Sequence, residues 1–143
     1  MTYEELRTEL QRLRAEHHNY RERAERDKAQ SFRLGTEHVY NKLIPVLDGI
    51  DAAATHGDLE GVPEGVQSLL ASLMGTLDSS GLHMFGEKGD SFDPELHDAV
   101  QVRYDSEEEH AVLDEIIQCG YATDARVLRP AKVVVVCPPP SNK

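Results

Sequence analysis

The sequence predicts an α+β fold with a long N-terminal coiled-coil helix, a dimeric four-helix bundle and a small C-terminal, mostly antiparallel β domain. Three observations support this prediction. A heptad-like repeat runs through the first part of the chain, a broader apolar stripe follows it, and short β-prone runs between turn residues come after Gly81. The predicted division is a long helix over 1–36, a helical hairpin over 37–81, a β domain over 82–138 and a tail over 139–143.

The first helix repeats apolar side chains at alternating spacings of four and three, which is typical of a two-stranded coiled coil. Polar residues interrupt this seam at His17, Asp27 and Ser31, so we expect weaker pairing in its middle. The spacing fits parallel and antiparallel pairing alike. The predicted coiled-coil part of a dimer interface comprises Leu6, Leu10, Leu13 and Tyr20.

Beyond Leu34 the apolar stripe widens to that of a bundle helix, and a second leucine-rich helix follows a turn-rich loop and closes before Gly81. Two helices form only a hairpin. Pairing the hairpins of two chains into a four-helix bundle would bury both stripes. The predicted bundle part of the dimer interface comprises Leu43, Leu47, Leu70, Leu73 and Leu77.

Short β-prone runs fill the remainder of the chain and predict a small sheet domain. The continuous apolar run at 133–136 predicts a central strand, or one whose outer face meets a partner, and the prolines at 138–140 should end its ladder. The candidate strands are 83–85, 99–104, 112–119, 126–128 and 132–137.

Charge and composition exclude several function classes. The formal net charge is −11, and the region after residue 30 carries it because acidic and basic residues balance before that point. Such an acidic chain argues against nucleic-acid binding. The N-terminal sequence lacks a secretory signal and no segment has the length of a membrane span, so we expect no membrane partner and a cytoplasmic protein. Cys119 and Cys137 lack metal or redox spacing, and we expect both to be reduced core residues.

Motifs of catalysis are weak. The seven histidines never form a pair at metal-binding helical spacing, and neither a glycine-rich phosphate loop nor a nucleophile elbow is present. We therefore predict no catalytic residue, no metal and no cofactor.

Five segments of the sequence form a recognisable set. Three lie in the C-terminal part, Phe92-Asp93-Pro94-Glu95-Leu96-His97-Asp98-Ala99-Val100, Gly120-Tyr121 and Arg126-Val127-Leu128-Arg129-Pro130-Ala131-Lys132-Val133, and two lie upstream, Asn19-Tyr20-Arg21-Glu22-Arg23 in the long helix and Asn41-Lys42-Leu43-Ile44-Pro45-Val46-Leu47-Asp48 at the bundle entry. Together, and in this order, they resemble the GrpE family, the nucleotide exchange factors of DnaK-type chaperones.

The resemblance implies a homodimer with parallel long helices that binds the ATPase domain of a DnaK-type chaperone. One β domain would wedge its nucleotide cleft open so that ADP leaves, without any chemistry. The alternative is a dimeric coiled-coil scaffold that tethers partners and does not promote exchange. The family often carries a disordered N-terminal leader, which we expect to be short or missing here.

The resemblance also implies individual site residues. From the residues alone, Ile117 and Val135 would fit ordinary core positions, and Arg126 would fit a surface charge. Gly81 matches the glycine between bundle and β domain, a predicted hinge, and Gln30 stands where the family often has a second basic contact. The implied chaperone contacts are Arg21 on the long helix and Ile117, Arg126 and Val135 in the β domain.

Overall fold

The fold is described by a computed structural model over residues 2–57 and 60–140. Two helices precede six strands, so the α+β prediction is confirmed. The chain divides into two compact units, Met1–Val39 and Tyr40–Lys143. The elements are α1 (Tyr3–Thr55), α2 (Glu64–Ser80), β1 (His83–Phe85), β2 (His97–Tyr104), β3 (Val112–Gln118), β4 (Gly120–Ala122), β5 (Val127–Arg129) and β6 (Ala131–Cys137).

The first unit contains the N-terminal part of α1, a helix of 53 residues. Its start is fixed by a capping box: the Thr2 backbone N–H donates to the Glu5 carboxylate at 3.0 Å, and the Glu5 N–H donates to Thr2 Oγ1 at 3.2 Å. Further along, Arg12 pairs with Glu9 and with Glu16 one turn on either side. These local contacts support a helix whose side chains are mostly exposed.

The second unit begins with the rest of α1, which continues through Pro45. One core cluster lies where this helix meets the β domain, and it includes Tyr40, Ile44, Leu47, Leu82 and Tyr121. Helix α2 ends in the expected glycine: Gly81 has φ 115°, and the backbone N–H of Leu82 donates to the Leu77 carbonyl at 3.0 Å. This bond closes the last turn of the helix.

The strands form two three-stranded sheets, in the orders β1-β4-β5 and β2-β6-β3. Strand β6 is central in the second sheet, which confirms the prediction for the run at 133–136. Most pairings are antiparallel as predicted, whereas β2 runs parallel to β6. A second core cluster of Leu113, Ala131, Val133 and Val135 lies in this sheet.

The predicted strand at 112–119 is wrong at its end, because β3 stops at Gln118 and a separate strand, β4, begins at Gly120. The break coincides with a close approach: a Cβ atom on Gly120 would overlap the ring of Phe85. The chain leaves one sheet and joins the other there. The residues of the predicted tail at 141–143 lie outside the described part of the chain.

Candidate interaction site

Ile117 lies on β3 with 54% of its surface exposed. The pairing of β3 with β6 shifts register between Ile116 and Gln118, so Ile117 is the extra residue of a β-bulge. Both isoleucines border a groove of about 410 Å³ that Asp51 and Glu115 also line, and Ile116 packs against the second core cluster as well. Adjacent side chains of a strand face opposite sides of the sheet, and Ile117 is the exposed one of the two.

Arg126 lies in the turn between β4 and β5 and is exposed. The turn is closed by its own hydrogen bonds: the Thr123 N–H donates to the Arg126 carbonyl at 2.8 Å, and the N–H groups of Ala125 and Arg126 donate to Thr123 Oγ1 at 3.3 Å. The backbone at Arg126 is thus fixed while its side chain reaches the surface.

Val135 lies in the interior, with 2% of its surface exposed. It pairs with Val102 on one side and Leu113 on the other, in the middle of β6. In the single chain it has almost no surface to offer a partner, so the structure gives it a packing role. A direct contact with the chaperone stays a prediction.

Arg21 and Gln30 both belong to the N-terminal unit, and both are exposed on α1. Their exposure is compatible with contact to a partner. Their contact with the chaperone stays a prediction.

The residues of the predicted dimer interface fall into three groups. On the N-terminal unit, Leu6, Leu10 and Leu13 are each half exposed and Tyr20 is 65% exposed. In the second unit, Leu73 is exposed and Leu43, Leu70 and Leu77 are partly buried. Leu47 differs from all of them, because it is 1% exposed and belongs to the core of its own chain. Its part in a dimer interface, like that of the others, stays a prediction.

The junction of α2 and the β domain contains a histidine bridge that the sequence did not indicate. His83 Nδ1 lies 2.9 Å from Asp78 Oδ1 at the end of α2, and its Nε2 lies 3.0 Å from Asp124 Oδ1 in the β4–β5 turn. The hydrogen bond to Asp78, and then that to Asp124, raise the pKa of His83 above 6.5. Two carboxylates therefore favour the imidazolium directly beside Gly81.

A second unpredicted contact joins α1 to β5. Arg129 makes a two-pronged ion pair with Asp48, with Nη1–Oδ2 at 2.6 Å and Nη2–Oδ1 at 2.8 Å, and Nη2 also donates to the Cys119 carbonyl at 2.7 Å. The guanidinium lies over the Tyr121 ring at 5.3 Å. The hydrogen bond to Asp48 raises the pKa of Arg129, and burial raises that of Tyr121. Periodicity cannot reveal such a pair, because each partner alone resembles an ordinary surface charge.

Other site types can be assessed in the described part of the chain. Both cysteines are free, with Cys119 buried as predicted and Cys137 only partly buried. Burial raises the pKa of the Cys119 thiol. Across residues 2–57 and 60–140, histidine, cysteine and carboxylate side chains form no group of three able to hold a metal. No described helix combines the length and apolar character of a membrane span.

The long helix and the small two-sheet domain define a protein of the α+β class, with an exposed isoleucine at the bulge in β3. The chain belongs to the GrpE family: the sequence model of that family matches residues 1–137. It is 38% identical over 136 residues to the protein GrpE of Streptomyces griseus, covering 95% of this chain and 62% of that protein.

Two other relatives give the same result. The protein GrpE of Francisella philomiragia is 37% identical over 139 residues, covering 94% of this chain and 73% of the relative. The protein GrpE of Mycobacterium leprae is 41% identical over 133 residues, covering 92% of this chain and 57% of the relative. The chain thus spans about three fifths of the length of its Streptomyces relatives.

Proposed function

We propose that this chain is a nucleotide exchange factor that binds the ATPase domain of a DnaK-type chaperone in the cytoplasm and opens its cleft to release ADP. The observation that carries the proposal is the family match over residues 1–137. The proposed form is a homodimer with a coiled coil over 1–36 and a four-helix bundle over 37–81 that carry the β domain over 82–138. Exposed leucines on α1 and α2 support that form, because they give a second chain apolar surface to bury.

The proposed mechanism is a shift of population in the partner. An exchange factor accelerates ADP release when it binds the open-cleft chaperone more tightly than the closed one. The difference between the two affinities sets how far the affinity of the chaperone for ADP falls. By reciprocity, bound nucleotide must lower the affinity of the chaperone for the exchange factor by the same factor. The exchange factor needs no reactive group for this, only a surface that fits one state of its partner.

In this proposal Ile117 and Arg126 contact the chaperone. Ile117 supplies an exposed apolar side chain fixed by a bulge, and Arg126 supplies a charge on a turn with a fixed backbone. Val135 supports the sheet from within, and Arg21 adds a contact from α1. Gly81, with its positive φ, would act as the hinge that sets the angle of the β domain.

Release of a fluorescent ADP analogue from the chaperone tests the proposal. Substoichiometric dimer is expected to accelerate release, whereas a scaffold that only tethers its partners leaves the rate unchanged. Replacing Ile117 by serine should reduce the acceleration at least tenfold. Val100→Ser is the matched control, because Val100 lies on the same sheet with the same 54% exposure. Equal loss in both variants would remove Ile117 from the proposed contact.

Native mass spectrometry tests the assembly independently of the rate. We expect two copies of this chain with one copy of the chaperone ATPase domain. A monomer in the absence of the chaperone would overturn the homodimer. A dimer that does not bind the ATPase domain would overturn the proposed partner.

A further inference from the structure

A single guanidinium ties three segments of the second unit together. Arg129 at the end of β5 binds Asp48 on α1 through two hydrogen bonds, and it also binds the carbonyl of Cys119 between β3 and β4. The side chains of Arg129 and Asp48 are only 21% and 28% exposed. A two-pronged, partly buried pair has a fixed geometry, unlike the flexible ion pairs of an open surface.

The anchor points of this contact lie close in sequence to the proposed chaperone contacts. Ile117 precedes Cys119 by two positions, and Arg126 precedes Arg129 by three. Asp48 lies on α1, the helix that would form part of the dimer interface. The pair therefore fixes the two segments that bear Ile117 and Arg126 against the helix.

The core cluster that contains Leu47 and Tyr121 also joins α1 to the β domain, but apolar contacts are not directional and the chain connection is flexible, so neither fixes the angle by itself. The chain passes from α2 to β1 through Gly81, whose φ of 115° lies in a region that is sterically open to glycine. The bridge at His83 is exposed, with 42% of its side chain accessible, and it depends on protonation. The Asp48–Arg129 pair is the more buried of the two polar connections.

We propose that Asp48 and Arg129 are positioning residues of the exchange reaction: they hold the β domain rigidly on α1, so that binding to the chaperone is converted into cleft opening. This inference rests on the proposed exchange function. With the pair intact, only the open cleft fits the fixed surface. Without it, the β domain adjusts to the closed cleft as well, and the difference in affinity between the two states falls.

The inference predicts that breaking the pair slows ADP release much more than it weakens binding to the chaperone. Asp48→Asn keeps the shape of the side chain and removes its charge, and Arg129→Lys keeps a charge and removes the two-pronged geometry. At saturating exchange factor, both variants should lower the maximal rate of ADP release at least tenfold. Their affinity for the nucleotide-free ATPase domain should change less than threefold. Arg129→Lys should retain more activity than Arg129→Gln.

Asp114→Asn is the matched control. It removes the carboxylate of an Arg–Asp pair in the same domain, in which Arg103 Nη1 lies 3.1 Å from Asp114 Oδ2 and both side chains are more exposed. The control should leave both release and affinity within twofold of the parent chain. Circular dichroism and native mass are measured for every variant, to check that it keeps its fold and its oligomeric state.

A distance measurement tests rigidity without reference to activity. Nitroxide labels are placed on non-natural residues at the exposed positions Lys42 on α1 and Ala125 in the β4–β5 turn, and the labelled chain is diluted with unlabelled chain. Asp48→Asn should at least double the width of the distance distribution, and Asp114→Asn should not change it.

The outcomes separate the inference from the proposed function. If the parent chain fails to accelerate release, the proposed function is wrong and the inference falls with it. If the parent chain is active and Asp48→Asn matches it in maximal release rate, or leaves the distance distribution unchanged, the inference alone is overturned. A loss of affinity equal to the loss of release rate would also overturn it, because the pair would then serve only to preserve the binding surface.

Discussion

Replacing Leu47 by alanine is expected to destabilise the fold of the single chain, and not merely its association with a second chain. Leu47 is 1% exposed and packs in the cluster that contains Tyr40, Ile44, Leu82 and Tyr121. The sequence pattern assigned it to a dimer interface, together with exposed residues such as Leu73. A pair of alanine variants at these two positions separates packing within the chain from packing between chains.

The magnitude follows from burial and from the space around the side chain. Removing the outer carbons of a fully buried leucine loses about 2–3 kcal/mol of transfer free energy, at about 0.8 kcal/mol per methylene. Leu47 also lines a partly open pocket of about 180 Å³, which its truncation would enlarge. A residual cavity adds about 24 cal/mol per Å³. The total free energy of unfolding should therefore fall by about 3–5 kcal/mol, in the upper part of the range for such changes.

Denaturant unfolding at several protein concentrations is the assay, because dimer dissociation makes the midpoint depend on concentration and unfolding of a single chain does not. Leu47→Ala should lower the midpoint equally at every concentration. Leu73→Ala should cost about 1 kcal/mol or less at low concentration and should shift the dimer dissociation constant instead. The reasoning is refuted if Leu47→Ala leaves the unfolding of the dilute chain unchanged and raises only the dissociation constant.

Two further predictions concern the β domain. Gly120→Ala should lower stability by about 1–3 kcal/mol, because the new Cβ would overlap the Phe85 ring. Its control Gly75→Ala, in open space on α2, should be neutral or stabilising in the same denaturant unfolding assay. The bridge at His83 should stabilise the fold fully below pH 6.5 and lose that contribution as the pH rises through the raised pKa of the folded state. An NMR titration midpoint for His83 at or below 6.5 would contradict this.

The long elements of the fold could be predicted from the sequence because periodicity accumulates over many residues. Helix α2 and strand β6 lie close to their predicted positions, and the glycine that ends α2 has the expected left-handed backbone. The short strands were less accurate: β5 is displaced by one residue, and β4 was not separated from β3. Three residues are too few to establish a period, so tertiary contacts decide where such strands begin.

Burial within a sheet was harder to predict than the sheet itself. Ile117 and Val135 look equivalent in the sequence, as apolar residues in β-prone runs. One is exposed and the other is in the core, because Ile117 lies at a register shift in β3 whereas the side chain of Val135 packs into the second core cluster. A bulge depends on the partner strand, and the sequence pattern of one strand contains no information about its partner.

The contact between Asp48 and Arg129 gives a physical reason for the sequence segments that identified the family. These residues are 81 positions apart, at the end of the bundle-entry segment and within the last β-domain segment. The position of each residue in its own element does not explain its charge. Asp48 lies far from the N-terminus of α1, where a carboxylate would be favoured, and Arg129 ends a short strand. Each instead binds the other, and Arg129 also donates to the Cys119 carbonyl. Two distant motifs thus meet in one contact, which in our proposal holds the chaperone-binding segments on the helix.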